Sequence, residues 1–169
     1  FELKQLFHLM LPILVTQFAY AGFGLIDTIM AGHMSAEDLA AIAVGVGLWI
    51  PVRLLFSGIM IATTPLVAEA NGARTPEKIP SIVRQSLWIA LILGIIAMLI
   101  LQATPLLLPL FGVPDSLLPK ASLFLHAIAF GMPAVTMYSA LRNYSEALGF
   151  PRPVTALSLG ALVALIPLN

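Results

Sequence analysis

The sequence predicts an all-α integral membrane protein, a polytopic helix bundle with about four complete spans and most of a fifth. Three observations predict it. The 169 residues are 60% hydrophobic and only 9% charged, against roughly half and a quarter in a soluble domain. Apolar runs of about 20 residues, the length that crosses roughly 30 Å of hydrocarbon, recur between short polar breaks. Those runs, for example LWIALILGIIAMLIL from Leu87 to Leu101, lack the polar alternation of a barrel strand.

The first span covers 9–32, closes on GLIDTIMAGH and is interrupted by one charge, Asp27. It is too long for the core of a signal peptide. HMSAED, from His33 to Asp38, reads as a turn in which Ser35 or Asp38 caps the next helix. The second span, 39–68, carries Arg53 near its middle. Glu69 to Gln85 is the longest polar connection, marked as a loop by Asn71-Gly72 and two prolines. The third span, 86–111, holds no charge. GVPDSLLPK, from Gly112 to Lys120, turns into the fourth span, 121–148, whose tail RNYSEALG is polar. FPRP leads into the fifth, 154–169. The chain starts at Phe1 and its last residues, ALVALIPLN, lie inside an apolar run. The expectation is a fragment, residues 1–169 of an N-terminal lobe.

Basic residues orient the bundle. Lys4, Arg74, Lys78, Arg84, Arg142 and Arg152 fall on one side and Lys120 on the other. Positive residues stay inside, so the N-terminus is expected in the cytoplasm. Equal numbers of acids and bases suggest no nucleic-acid partner. The absence of cysteine excludes disulfides and thiolate metal sites. His8, His33 and His126 lack metal-ligand spacing. No P-loop, G-x-S-x-G or H-E-x-x-H is present, so the chain is expected not to be an enzyme and to need no cofactor or resident metal.

Two charges are out of place. At 1.5 Å per residue, Asp27 lies about 8 Å inside the outer end of its helix. Insertion there costs roughly 2.5–3.5 kcal/mol at a helix centre, and such acids face a bundle interior or a wet cavity. A proton or cation site is the reading preferred over a hydrogen-bonded structural acid. Arg53 lies about 21 Å along the second span, some 13 Å deeper than Asp27, so a direct pair would need tilt and an extended arginine. Gln17, Tyr20 and Arg53 are candidates to line a cavity, although helix–helix hydrogen bonding also accounts for the first two. Arg142 and Glu146 share a helix face and are spaced to pair. His126 reads as an interfacial or hydrogen-bonded histidine. Glycines and prolines inside the spans fit close packing or hinges.

LPILVTQFAYAGFGLIDTIMAGHMSAEDLAAIAVG, Leu11 to Gly45, resembles the opening of the multidrug and toxic compound extrusion (MATE) family, NorM-like branch. TPLVAEANGAR (Thr64 to Arg74), LRNYSEALGFPRP (Leu141 to Pro153) and IPLN (Ile166 to Asn169) match that family in order and spacing. The resemblance implies the first lobe of a twelve-helix transporter with two six-helix lobes. It implies export of cationic amphipathic drugs in exchange for H⁺ or Na⁺, in the inner membrane, with the C-terminal lobe of the same chain as partner. It maps the coupling-ion acid onto Asp27, with Na⁺ as a candidate ion there, a nearby asparagine onto Asn169, and a proposed bend onto Pro12. Three departures follow. Leu165 stands where the family has an asparagine, removing an oxygen ligand. Arg74 replaces a glycine, with little effect expected on mechanism. Arg53 has no role to carry over.

The function expected is therefore a multidrug efflux antiporter. A lipid-linked oligosaccharide flippase of the same superfamily, to which Arg53 lends slight support, is the alternative. A non-transporting membrane scaffold or embedded enzyme is the reading from a different class.

Overall fold

The computed structural model describes residues 10–11, 13–18, 21–22, 35–150 and 152–168. Among them every regular element is helical. A short N-terminal helical segment includes residues 13–18. Six α-helices follow: α1 (Ala36–Met60), α2 (Thr63–Gly72), α3 (Ile79–Ala103), α4 (Leu118–Ala129), α5 (Met132–Ala147) and α6 (Arg152–Leu168).

Ser35 starts α1. Its extended backbone lets Oγ accept from the Asp38 amide at 3.2 Å and donate to the Asp38 carboxylate at 2.7 Å. Glu37 and Asp38 in the first turn complement the helix dipole. The helix then runs uninterrupted past Pro51. It breaks instead at Ile61 and Ala62, four residues before a second proline, Pro65. A proline ring clashes with the carbonyl four residues back and offers no N–H. Here the backbone tightens: Ile61 donates to Gly58, Ala62 to Ile59 and Thr64 to Ile61, at 2.9–3.2 Å. α1 and α2 together form one apolar path from Ala36 to Gly72 long enough to span.

The connection expected from Glu69 to Gln85 is mostly helical. α2 continues to Gly72, a 3₁₀ turn covers Pro76–Lys78, and α3 begins at Ile79 with Pro80 in its first turn. Proline is tolerated there because that N–H has no helical acceptor. α2 closes in a Schellman arrangement: Thr75 N–H donates to Ala70 O at 3.0 Å and Arg74 N–H to Asn71 O at 3.2 Å. This geometry needs a left-handed residue, and Arg74 supplies it at φ 55°. The same closure ends α5, where Gly149 takes φ 74°.

α3 passes into a 3₁₀ stretch, Thr104–Phe111, that carries Pro109 inside it and ends on Gly112. That path is the second long enough to span, and α4 with α5, bent by 45° around Phe130 and Gly131, forms a third as a pair.

Packing is inverted relative to a soluble protein. Ser86, Ala90, Gly94, Ala97 and Leu101, spaced three or four apart, form the buried face of α3. Trp88, Ile92 and Leu99 on its other side are 55–63% exposed. Water would not tolerate so large an apolar surface, whereas lipid does. The small residues let α3 and α5 make the most extensive helix contact among the described residues. Gly94 is the tightest point: a methyl added there would overlap Thr136 Oγ1 and lie 2.5 Å from Pro133 Cα. A second core joins Ala41 and Phe56 of α1 to Leu101 of α3 and to Ala121, Leu125 and Ala129 of α4. At the Ser35 end, Lys120 reaches Asp38 and, at 3.8 Å, Glu37, tying the starts of α1 and α4.

Candidate functional site: a polar seam through the bundle

Small polar side chains join helices that are distant in sequence. Thr136 of α5 donates to the Ala90 carbonyl of α3 at 2.8 Å. The hydroxyls of Ser139 and Ser57 meet at 3.3 Å between α5 and α1. Asn143 Nδ2 donates to the Met60 carbonyl at 2.8 Å. Residues 136, 139 and 143 lie three and four apart, so one face of α5 carries all three. Thr63 bonds Ser86 at 3.3 Å between α2 and α3, with both side chains buried.

The Asn143 bond has a local cause. In a continuous helix the Met60 carbonyl would accept from the Thr64 amide. That amide bonds Ile61 instead, so the break frees a carbonyl that lipid cannot hydrate. Asn143 supplies the missing donor.

The seam continues outward. Tyr138 Oη and Ser158 Oγ lie 3.3 Å apart, linking α5 to α6. Thr16 donates to Thr155 at 3.0 Å, linking the N-terminal segment to α6. The first and last helical segments of the chain are therefore neighbours. On the opposite side, His126 Nδ1 contacts Gln102 Oε1, joining α4 to α3. The Arg142–Glu146 pair forms at 2.7 Å. The neutral groups register helices against one another, whereas the Arg142–Glu146 pair stays within α5.

Arg53 is the ionisable side chain at the middle of the α1–α2 path. Its guanidinium carbon lies 5.2 Å from the centroid of the Trp49 ring, one turn earlier. Long helical side chains lean toward the N-terminus, which brings Arg53 over Trp49. Arg53 Nε and Trp49 Nε1 are both buried without a hydrogen-bond partner among the described residues.

Of the residues singled out in the sequence, Gln17 is exposed on the N-terminal helical segment and Arg53 is half-buried on α1. Asp27, Asn169, Tyr20 and Pro12 lie outside the described residues. Sequence reading missed Ser57, Thr136, Ser139 and Asn143. The visible signal was the three- and four-residue spacing of polar side chains in an otherwise apolar span. Nothing in that spacing names their partners.

Comparison with known proteins bears on this arrangement. The chain is 80% identical, over all of its 169 residues, to "Probable multidrug resistance protein NorM" of Acinetobacter baylyi, and covers 38% of that protein. It is 40% identical to "Multidrug resistance protein PmpM" of Pseudomonas aeruginosa, with 99% of the chain matching 35% of that protein. It is 37% identical to "Multidrug resistance protein MdtK" of Photorhabdus laumondii, with 99% of the chain matching 37% of that protein. The chain thus spans little more than a third of the length of these relatives. The MatE family model matches residues 12–169, nearly the whole chain, and this helical membrane protein belongs to the MatE family.

Proposed function

We propose that this chain is the N-terminal part of a secondary active antiporter of the inner membrane. It exports cationic amphipathic compounds in exchange for H⁺ or Na⁺, and its N-terminus faces the cytoplasm. The names of its relatives support drug export. The bias of six basic residues to one side supports the orientation.

The observation that carries the coupling role is the Thr16–Thr155 hydrogen bond. The N-terminal segment and α6 belong to the first and fifth spans, which run in the same direction. By the spans expected from the sequence, a continuous helical rise would set Asp27 about 16 Å and Asn169 about 21 Å beyond that contact. That expectation gives the acid of the first span and the amide of the fifth similar depths, which supports their acting together. Oxygen ligands of this kind suit a hard cation, and a carboxylate also takes a proton.

In this reading, loading Asp27 from outside neutralises a costly charge and changes how the first span packs on its neighbours. The bundle then rocks against the other lobe around a midplane site, releasing drug outward. Gln17, Tyr20 and Arg53 line the path, and Pro12 bends the helix. Leu165 leaves the site one oxygen ligand short of the family pattern, which favours the proton.

The test is drug efflux by the full-length protein carrying Asp27→Asn. The expected result is loss of gradient-driven export with folding retained. Wild-type export would remove Asp27 from the mechanism. Imposed pH and Na⁺ gradients, applied separately to proteoliposomes, distinguish the two ions.

A further inference from the structure

We propose that a groove between α3 and α5 is a binding site for an anionic phospholipid. The groove encloses about 570 Å³, within the 300–1,000 Å³ typical of small-molecule sites. Its floor is apolar: Val83, Leu87 and Leu91 of α3 face Met137 of α5. From Ile79 to Leu91, also lining residues, α3 rises about 18 Å. Beyond Arg84 the lining runs on to Leu91, about 10 Å of helix, so it holds the upper part of an acyl chain within one leaflet of the roughly 30 Å hydrocarbon core.

Toward the start of α3, Arg84 and Tyr144 add polar groups to the lining, with Ile79 and Pro80 about a turn nearer the helix start and Trp88 one turn deeper. Arg84 is exposed and has neither an ion pair nor a hydrogen bond among the described residues. Arg142, by contrast, is held by Glu146. Long helical side chains lean toward the helix N-terminus, so Arg84 is directed to the membrane boundary at the start of α3. The positive end of the α3 dipole and Lys78, the residue preceding α3, add to the field there.

An apolar channel flanked by a guanidinium without an ion pair and by a phenol complements a lipid with an acyl chain and a negative headgroup. Arginine recognises a phosphodiester through paired N–H donors, and tyrosine and tryptophan favour the interfacial layer. The side carrying Arg74, Lys78 and Arg84 is the cytoplasmic side by the distribution of basic residues, and anionic lipid there adds about 1 kcal/mol of attraction per basic residue. The site does not depend on ion-coupled export. A cationic drug is the wrong charge for it.

The test is native mass spectrometry of the detergent-purified full-length protein, titrated with phosphatidylglycerol or with phosphatidylcholine of the same chains. The wild type is expected to retain phosphatidylglycerol about fivefold more strongly. Arg84→Gln should abolish that preference, lowering phosphatidylglycerol retention more than that of phosphatidylcholine, whose phosphate is already neutralised by its own ammonium, and Arg84→Lys should keep most of the preference. Leu87→Trp, which fills the channel, should lower retention of both lipids. Equal retention of the two lipids by the wild type overturns the proposal. So does an undiminished preference in Arg84→Gln, or retention of neither lipid, as when the remainder of the chain covers the groove.

Discussion

The Arg53 guanidinium stacks 5.2 Å from the centre of the Trp49 ring, on the same helix and near the middle of a membrane-length path. A ring quadrupole compensates a desolvated cation by roughly 2 kcal/mol or more, and by less at wetter sites. A double-mutant cycle with Trp49→Leu and Arg53→Met should give a coupling of about 0.5–2 kcal/mol in the unfolding of the full-length protein. Additive effects would show that the stack contributes nothing.

Gly94 of α3 packs directly against Pro133 and Thr136 of α5, with no room for an added methyl. Gly94→Ala should destabilise by about 1–3 kcal/mol, because the neighbour it meets is proline backbone and cannot swing aside. Gly72→Ala, where the space around the glycine is open, should be neutral or slightly stabilising. Thermal unfolding in detergent checks both. Equal effects at the two positions would refute the packing argument.

Arg74 occupies a left-handed position in the closure of α2. A side chain there costs about 1–2 kcal/mol that glycine avoids. Arg74→Gly should therefore raise the unfolding midpoint, and Arg74→Val, with a β-branched side chain, should lower it. The measurement is the same thermal scan.

Asn143 satisfies the carbonyl freed where α1 ends. Asn143→Leu should cost about 0.5–2 kcal/mol, since interhelical hydrogen bonds in membranes are individually modest but an orphaned carbonyl is not. Amide exchange at Ile61, Ala62 and Thr64 should accelerate before that of α3. Unchanged exchange at those amides would mean that the bond does not hold the break.

Much of the architecture was legible in residue order. The polar cap at Ser35, the Arg142–Glu146 pair and a hydrogen-bonded His126 follow from local spacing, and the structure contains all three. Helix limits were less legible. The polar stretch from Glu69 to Gln85 looked like loop because Asn71-Gly72 and prolines favour turns in isolation. Prolines in a first helical turn do no harm, and α3 starts among them. Pro51 and Pro65 both lie inside the second expected span, yet the helix runs through the first and breaks before the second. There an asparagine from another helix can receive the freed carbonyl.

The sequence by itself determined the membrane class, the helical periodicity and the family. These depend on hydropathy and spacing summed along the chain, which neighbours in space do not alter. Only the tertiary structure decided that Asn143 meets Met60, that Thr16 meets Thr155, and that Gly94 packs against Pro133 and Thr136. It also decided that Arg74 takes the left-handed turn and that Arg84 lines an apolar groove. Each of these is a relation set by helix packing angle and backbone closure. In lipid, where apolar faces have little reason to choose one another, small residues and single hydrogen bonds set those relations, and residue order alone does not name their partners.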